Sequence, residues 1–320
     1  MMLQCGWPPG GMRLAGATAP FQRERFVMAA NVTPRSAQPS ATAAGTLTLG
    51  PDLTVNRLGY GAMRITGEGI WGPPADVPEC IRVLRRAVEL GVNFIDTADS
   101  YGPHVSEELI AQALHPYPRG LVIATKGGLT RPGPDVWNRN ADPRHLREVC
   151  EGSLRRLKLE RIDLYQLHAP DPRVPYESSV GALVRLREEG KIRLIGLSNV
   201  SVAEIKLAQK LTPIVSVQNR YNLADRGADG VLEYCQDEGI VFIPWAPLGS
   251  SRLAKNDGSG ALGRIAARHG ISSGQAVIAW LLARSPVILP IPGTASVHHL
   301  EENVAAASVR LTPEDLRELR

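Results

Sequence analysis

Cysteine is scarce in this chain. Its four cysteines, Cys5, Cys80, Cys150 and Cys235, lie too far apart to form a CxxC pair. That spacing excludes a zinc knuckle and a thioredoxin-like redox motif, and isolated thiols of this kind point to a reducing cytoplasm. Long apolar runs are missing too: no stretch approaches the roughly 18 consecutive apolar residues of a membrane span, so no membrane association is expected. Residues 1–44 have arginines interrupting their apolar positions and no continuous apolar segment. This argues against a secretory signal and reads as a disordered extension, with Met28 as an alternative start. Dense basic blocks are also absent. The 36 Lys and Arg against 32 Asp and Glu give a net charge of +4, but the cations are scattered and no nucleic-acid partner is expected.

What is present is ordinary in composition and regular in pattern. With 43% apolar and 21% charged residues, the chain matches globular enzymes rather than fibres or disordered proteins. From residue 45 onward, TLTLGPDLTVN alternates around a Gly-Pro-Asp turn as a β-hairpin does. Apolar β-branched runs then alternate with amphipathic helical segments. The expected strands are Arg57–Met63, Asn93–Asp96, Leu121–Thr125, Ile162–Leu167, Leu194–Leu197, Val215–Gln218, Val241–Trp245 and Val287–Ile291. The segment 261–286 carries two helical patterns divided at Gly270, with Ser272 and Ser273 as candidate caps, and Thr312-Pro313 opens a short terminal helix. Eight strands alternating with helices predict an α/β fold over residues 45–320. It is a closed (β/α)8 TIM barrel with an N-terminal hairpin cap and extra helices near the C-terminus.

In such a barrel, residues at the carboxyl ends of the strands converge on one mouth. Asp96, Tyr101, Lys126 and His168 stand at or just beyond strand ends. Each has a plainer use: Asp96 as a helix cap, Tyr101 as loop packing, Lys126 as a solvated charge or Schiff-base amine, His168 as a structural histidine. Their coincidence at one end of the fold favours a shared chemical role. A phenol has a pKa near 10, so Tyr101 is protonated at neutral pH and can donate to a carbonyl oxygen. A neighbouring Lys126 ammonium is expected to lower that pKa and needs a carboxylate, Asp96, to stay charged when buried. His168 can hydrogen-bond the same oxygen. The remaining histidines His104, His115, His145 and His269 read as surface residues.

The strings GVNFIDTADSYG, ATKGG, QLHAPD, IRLIGLSN and SVQNRYN, in this order, closely resemble the aldo-keto reductase superfamily. The resemblance extends from about Thr46 to the end, and PGTAS and WAPLG add likeness to bacterial members acting on pyridoxal or small aldehydes. It implies that Asp96, Tyr101, Lys126 and His168 are the catalytic tetrad of an NAD(P)H-dependent oxidoreductase that reduces a small-molecule carbonyl. It also implies a nicotinamide carboxamide held by Ser198, Asn199 and Gln218, with Trp245 beneath the ring. The pyrophosphate would lie on Leu248, Gly249 and Ser251, the adenosine phosphate among Gly293, Thr294 and Ser296, and the adenine near Glu302 and Asn303. Helix starts suit anions. Many members carry cations where this chain has Gly293 and His299. NADPH is therefore expected first, with Thr294, Ser296 and His299 as donors, and NADH is possible. No metal site is expected.

GYGAMR at Gly59 lacks the last glycine of a Rossmann fingerprint and its context. Asn199 as a helix cap and Trp245 as core packing are the alternatives for those two residues. Trp71 and Trp137, in loops, are pocket walls or loop anchors. For the whole chain, a cofactor-sensing regulatory subunit of the same fold and a Lys126 Schiff-base lyase stay open on sequence grounds.

Overall fold

Alternation of apolar and polar residues builds the first element. β1 (Thr46–Leu49) and β2 (Leu53–Asn56) pair antiparallel, burying Leu49, Leu53 and Val55. These three share one apolar cluster with Phe94, Val122, Leu164, Leu194, Val215 and Leu289 from the barrel strands, so the hairpin plugs one end of the barrel. The computed structural model describes residues 38–249 and 260–319. Ala41–Ala44 form a 3-10 turn within the segment expected to be disordered, and the Ala41 N–H donates to Leu90 O at 2.8 Å. Residues 1–37 of that segment lie outside the described residues.

Seven parallel strands follow in the order β3 (Tyr60–Gly61), β4 (Phe94–Asp96), β5 (Val122–Gly127), β8 (Ile162–Leu167), β9 (Ile192–Ser198), β10 (Ser216–Gln218) and β11 (Val241–Phe242). The expected eighth strand is reduced to a bridge at Ile288, because Pro290 and Pro292 have no N–H to give to a ladder. Its backbone still closes the circle. Leu289 donates to Phe242 O at 2.9 Å, and Gly59 donates to Pro290 O at 2.9 Å. The first and seventh strands are shorter than expected: Ala62–Ile65 turn into a 3-10 helix, and Pro244 interrupts the run before Trp245.

The crossover helices are α1 (Val77–Glu89), α2 (Val105–Leu114), α3 (Pro143–Leu157), α4 (Tyr176–Glu188), α5 (Val202–Gln209) and α6 (Asp229–Asp237). α7 (Ala261–His269), α8 (Ser273–Arg284), α9 (Val297–Ala305) and α10 (Pro313–Glu318) complete the described set. Capping boxes at Ser201, Ser272 and Thr312 satisfy first-turn N–H groups, and Gly270 ends α7 in the left-handed conformation, so the helix boundaries expected near the C-terminus are as observed. Ser201 caps α5, which removes the capping alternative for Asn199. Two histidines depart from a surface role. His145 Nε2 is buried, and His269 is three-quarters enclosed and bonds the buried Asp315 at 2.8 Å.

One surprise is a hairpin, β6 (Leu129–Gly133) and β7 (Val136–Arg139), where the Pro-Gly-Pro run suggests only a loop. Proline is tolerated there because a two-stranded ribbon has only edge strands.

Candidate active site

Period-two alternation sorts the inward side chains into levels, apolar at the plugged end and polar at the mouth. β4 gives Phe94 then Asp96, β5 gives Val122, Ala124 and Lys126, β8 gives Leu164 and Gln166 and, just past its end, His168. In register, Lys126 pairs Gln166, Gln166 pairs Gly196 and Gly196 pairs Ser216. Gly196 is required at this level: a methyl there would lie 2.3 Å from Ser216 Oγ and 2.9 Å from Gln166 Cγ.

The structure brings the four expected residues together. Lys126 Nζ donates to Asp96 Oδ1 at 2.6 Å and to Thr97 O at 2.8 Å. Tyr101 lies beside it, its ring centroid 5.2 Å from Nζ, and stands edge-on to the His168 ring at 5.9 Å. All four are buried: Lys126 at 0%, Asp96 at 2%, Tyr101 and His168 at 7% exposure. Burial pulls the Lys126 ammonium down, but the Asp96 carboxylate and the Tyr101 phenol together more than offset it and the net shift is upward. Burial pushes the Tyr101 phenol up, and Lys126 pulls it back without reversing the sign. The expected net lowering of the phenol is thus corrected, because enclosure outweighs the neighbouring cation. Burial first, then the Lys126 charge, hold the His168 imidazole well below its ordinary value, so it is neutral at pH 7.

The residues expected to hold a nicotinamide gather at the ends of β9 and β10. Gln218 Nε2 donates to Asp96 Oδ2 at 2.9 Å, leaving its Oε1 without a hydrogen bond among the described residues. Asn199 sits at φ 58°, donates to His168 O at 2.9 Å and to Ser198 Oγ at 3.1 Å, and accepts from Trp245 Nε1 at 2.9 Å. Trp245 is half-buried, with the Arg220 guanidinium 5.5 Å from its ring. Gly249 spends its N–H on Ala246 O at 2.8 Å, while Leu248 packs against the core and Ser251 lies outside the described residues.

Around α9, the Ser296 N–H donates to Thr294 Oγ1 at 3.1 Å, and Tyr60 donates to Thr294 O. The first-turn N–H of Val297 goes to Glu79 Oε1 at 2.9 Å, so a carboxylate already occupies part of this helix start. His299 is exposed, Glu302 half-buried and Asn303 buried. A Cβ built on Gly293 would lie 2.5 Å from Gly61 O, so only glycine fits against the first strand there.

Two other residues join the site without having been expected there. Gln166 donates to Asp96 Oδ2 at 3.1 Å, and its position two residues before His168, on the same face of β8, is a usable signal. Ser100 Oγ lies 3.4 Å from His168 Nδ1, and nothing in the sequence marks it. Trp137 stands edge-on to both Tyr101 and His168, each at 6.4 Å. It also lines a cavity of about 910 Å³ with Asn138, Arg139, Asn140, Asp171 and Arg173.

A closed parallel barrel whose mouth gathers a buried amine–carboxylate pair, a phenol and a neutral imidazole defines a class of enzyme. Residues 57–320 match the model of the aldo/keto reductase family. The chain is 50% identical over 282 residues to an uncharacterized oxidoreductase of Schizosaccharomyces pombe, covering 88% of this chain and 91% of that one. It is 42% identical over 280 residues to pyridoxine 4-dehydrogenase of Escherichia coli, covering 86% and 96%. A crystal structure of an aldo/keto reductase from Klebsiella pneumoniae in complex with NADP and acetate superposes with a TM-score of 0.73 at 28% identity, covering 86% and 93%. The chain belongs to the aldo/keto reductase family. No described helix is long and apolar enough to cross a membrane.

Proposed function

We propose that this enzyme reduces an aldehyde or ketone to an alcohol with NADPH, Tyr101 giving its proton to the carbonyl oxygen. One observation carries the reading: a charged Lys126–Asp96 pair at 2.6 Å, enclosed beside a protonated phenol and a neutral imidazole. The donor set fits a nicotinamide carboxamide, because Gln218 Oε1 is an open acceptor and the Ser198 hydroxyl can donate, which are the two partners a primary amide needs. Asn199 is already committed and serves to aim the Trp245 ring. A bound nicotinamide supplies the hydride that side chains cannot.

In the ground state the phenol holds its proton firmly, which suits a general acid. As negative charge develops on a carbonyl oxygen, the phenol donates while the Lys126 ammonium stabilises the resulting phenolate. Asp96, fixed by Lys126, Gln166 and Gln218, keeps that ammonium charged. His168, neutral, is available to hydrogen-bond the same oxygen. This electrostatic arrangement argues against Lys126 as a Schiff-base nucleophile, which needs a free amine. It supports catalysis over a purely regulatory role.

Thr294, Ser296 and His299 support NADPH as the first cofactor, whereas Glu79 at the start of α9 opposes a second phosphate there and leaves room for NADH. The cavity of polar groups walled by Trp137, together with the Escherichia coli relative's name, supports flat polar aldehydes such as pyridoxal among the substrates. Free, buried Cys80, Cys150 and Cys235 accord with a reducing cytoplasm.

The test is Tyr101→Phe, assayed with pyridoxal and a small aliphatic aldehyde under both NADPH and NADH. Cofactor affinity should hold within about twofold while turnover falls by roughly 10²–10⁴, the usual contribution of a general acid. Turnover within threefold of wild type would remove Tyr101 from the role.

A further inference from the structure

Arg131 lies on β6, 8% exposed, and among the described residues no carboxylate forms an ion pair with it. Its guanidinium is held instead by backbone carbonyls from three separate segments. Nη2 donates to Gly69 O at 2.7 Å, and Nη1 donates to Ile70 O at 2.9 Å and to Ser100 O at 3.2 Å. Nε donates to Val136 O at 2.9 Å. The flat cation also lies 3.6 Å from the centroid of the Trp137 ring and 5.9 Å from that of Trp71. Burial lowers its pKa, and only Asp135 acts the other way.

The backbone it gathers is strained. Ile70 has φ 54° and Asp135 has φ 54°, and a β-branched residue in the left-handed region is a true outlier that persists only when its surroundings impose it. Ile70 O is itself an acceptor of the Arg131 fork. The same segment is stitched to the loop that bears the phenol, with Trp71 bridging Gly102 and the Gly72 N–H donating to Gly102 O at 2.5 Å.

We propose that Arg131 is a positioning residue of the carbonyl site, a clamp that sets Trp137 and the Ser100–Tyr101 backbone as the substrate-facing wall. This rests on the reductase reading above. Ser100, whose carbonyl Arg131 holds, precedes Tyr101 and contacts His168, and Trp137, whose face Arg131 covers, stands edge-on to both. One guanidinium thus links the proton donor's loop to the wall a bound aldehyde meets. A lysine cannot replace it, since an ammonium is a point donor without a plane to stack on the indole or a fork to span three carbonyl groups.

The experiment compares Arg131→Lys, Arg131→Met and Trp137→Ala with the wild type in the full chain. It measures NADPH affinity by fluorescence titration, kcat and KM for pyridoxal and for a three-carbon aldehyde, and backbone hydrogen exchange. For both Arg131 variants, NADPH affinity should stay within about threefold, since among the described residues the groups that hold the Arg131 guanidinium are not those expected to hold the cofactor. The kcat/KM for the aromatic aldehyde should fall by about 30-fold or more, and for the small one by several-fold less, because misplacement on the scale of 1 Å can cost about 10²-fold where the substrate leans on the wall. Trp137→Ala should show the same size bias and add little to Arg131→Met.

Exchange should quicken together in residues 66–72, 98–104 and 129–139 while strands 162–167 and 192–198 keep their protection. A lysine variant with wild-type selectivity, or quickened exchange in only one of the three segments, would overturn the clamp. If the wild type reduces no aldehyde, the reductase reading fails and the positioning of a carbonyl wall fails with it. In that case joint quickening still identifies the loop clamp as a separate fact.

Discussion

Gly196→Ala should damage stability and catalysis together, through a contact at the level of Gln166 and Lys126 in the strand register. The added methyl would stand 2.3 Å from Ser216 Oγ and 2.9 Å from Gln166 Cγ, both shorter than ordinary carbon contacts, so at least one side chain must move. Overpacking of this kind costs about 1–3 kcal/mol. Displacing Gln166 also weakens its bond to the Asp96 carboxylate, and hydrogen bonds to charged groups are worth about 1.5–3 kcal/mol. A total near 3 kcal/mol is expected, read as a lower urea midpoint at unchanged m-value. Turnover should drop as well, because Asp96 loses one of its three donor side chains while the tetrad itself is untouched. Ser216→Ala supplies the control. Its hydroxyl has no hydrogen-bond partner among the described residues, so removing it alone should be nearly neutral, and combined with Gly196→Ala it should recover about 1 kcal/mol. A Gly196→Ala cost below about 0.5 kcal/mol, or no coupling with Ser216, would refute the packing argument.

Two further outcomes follow from buried charge. Glu107, fully enclosed, accepts from Arg156 Nε at 2.7 Å and Thr125 Oγ1 at 2.6 Å, so Glu107→Ala leaves a guanidinium unpaired beside a cavity and should cost about 3 kcal/mol in urea unfolding. His168 has a depressed pKa in the fold, so the unfolded chain binds its proton more readily. The contribution is fully present above the unfolded value of about 6.5 and is lost as pH falls below it, and His168→Gln should flatten the decline of stability in that window. A uniformly parallel pH profile for the two proteins would count against it.

Several features are legible in the residue pattern alone. The barrel follows from the alternation of β-branched runs with amphipathic helices, and Asp96, Lys126 and His168 follow from standing where those runs end. Gln166 is legible in principle from its parity with His168, but it is masked by the apolar strand around it. Arg131 is not legible, because its partners are carbonyl oxygens, which every residue carries and no sequence pattern distinguishes. The β6–β7 hairpin hides behind Pro132, Gly133 and Pro134, which as a local string describe a loop.

The amino-acid order by itself determined the periodicities, and through them the strands, the helices, their caps and the end of the barrel at which polar groups collect, since these depend on neighbours a few residues apart. Distances and protonation were decided only by the tertiary fold. The phenol's upward shift despite an adjacent ammonium, the commitment of Asn199 to Trp245 and the occupation of the start of α9 by Glu79 all arise from groups remote in sequence. Burial and Coulomb interaction depend on separation in space, which no local pattern encodes.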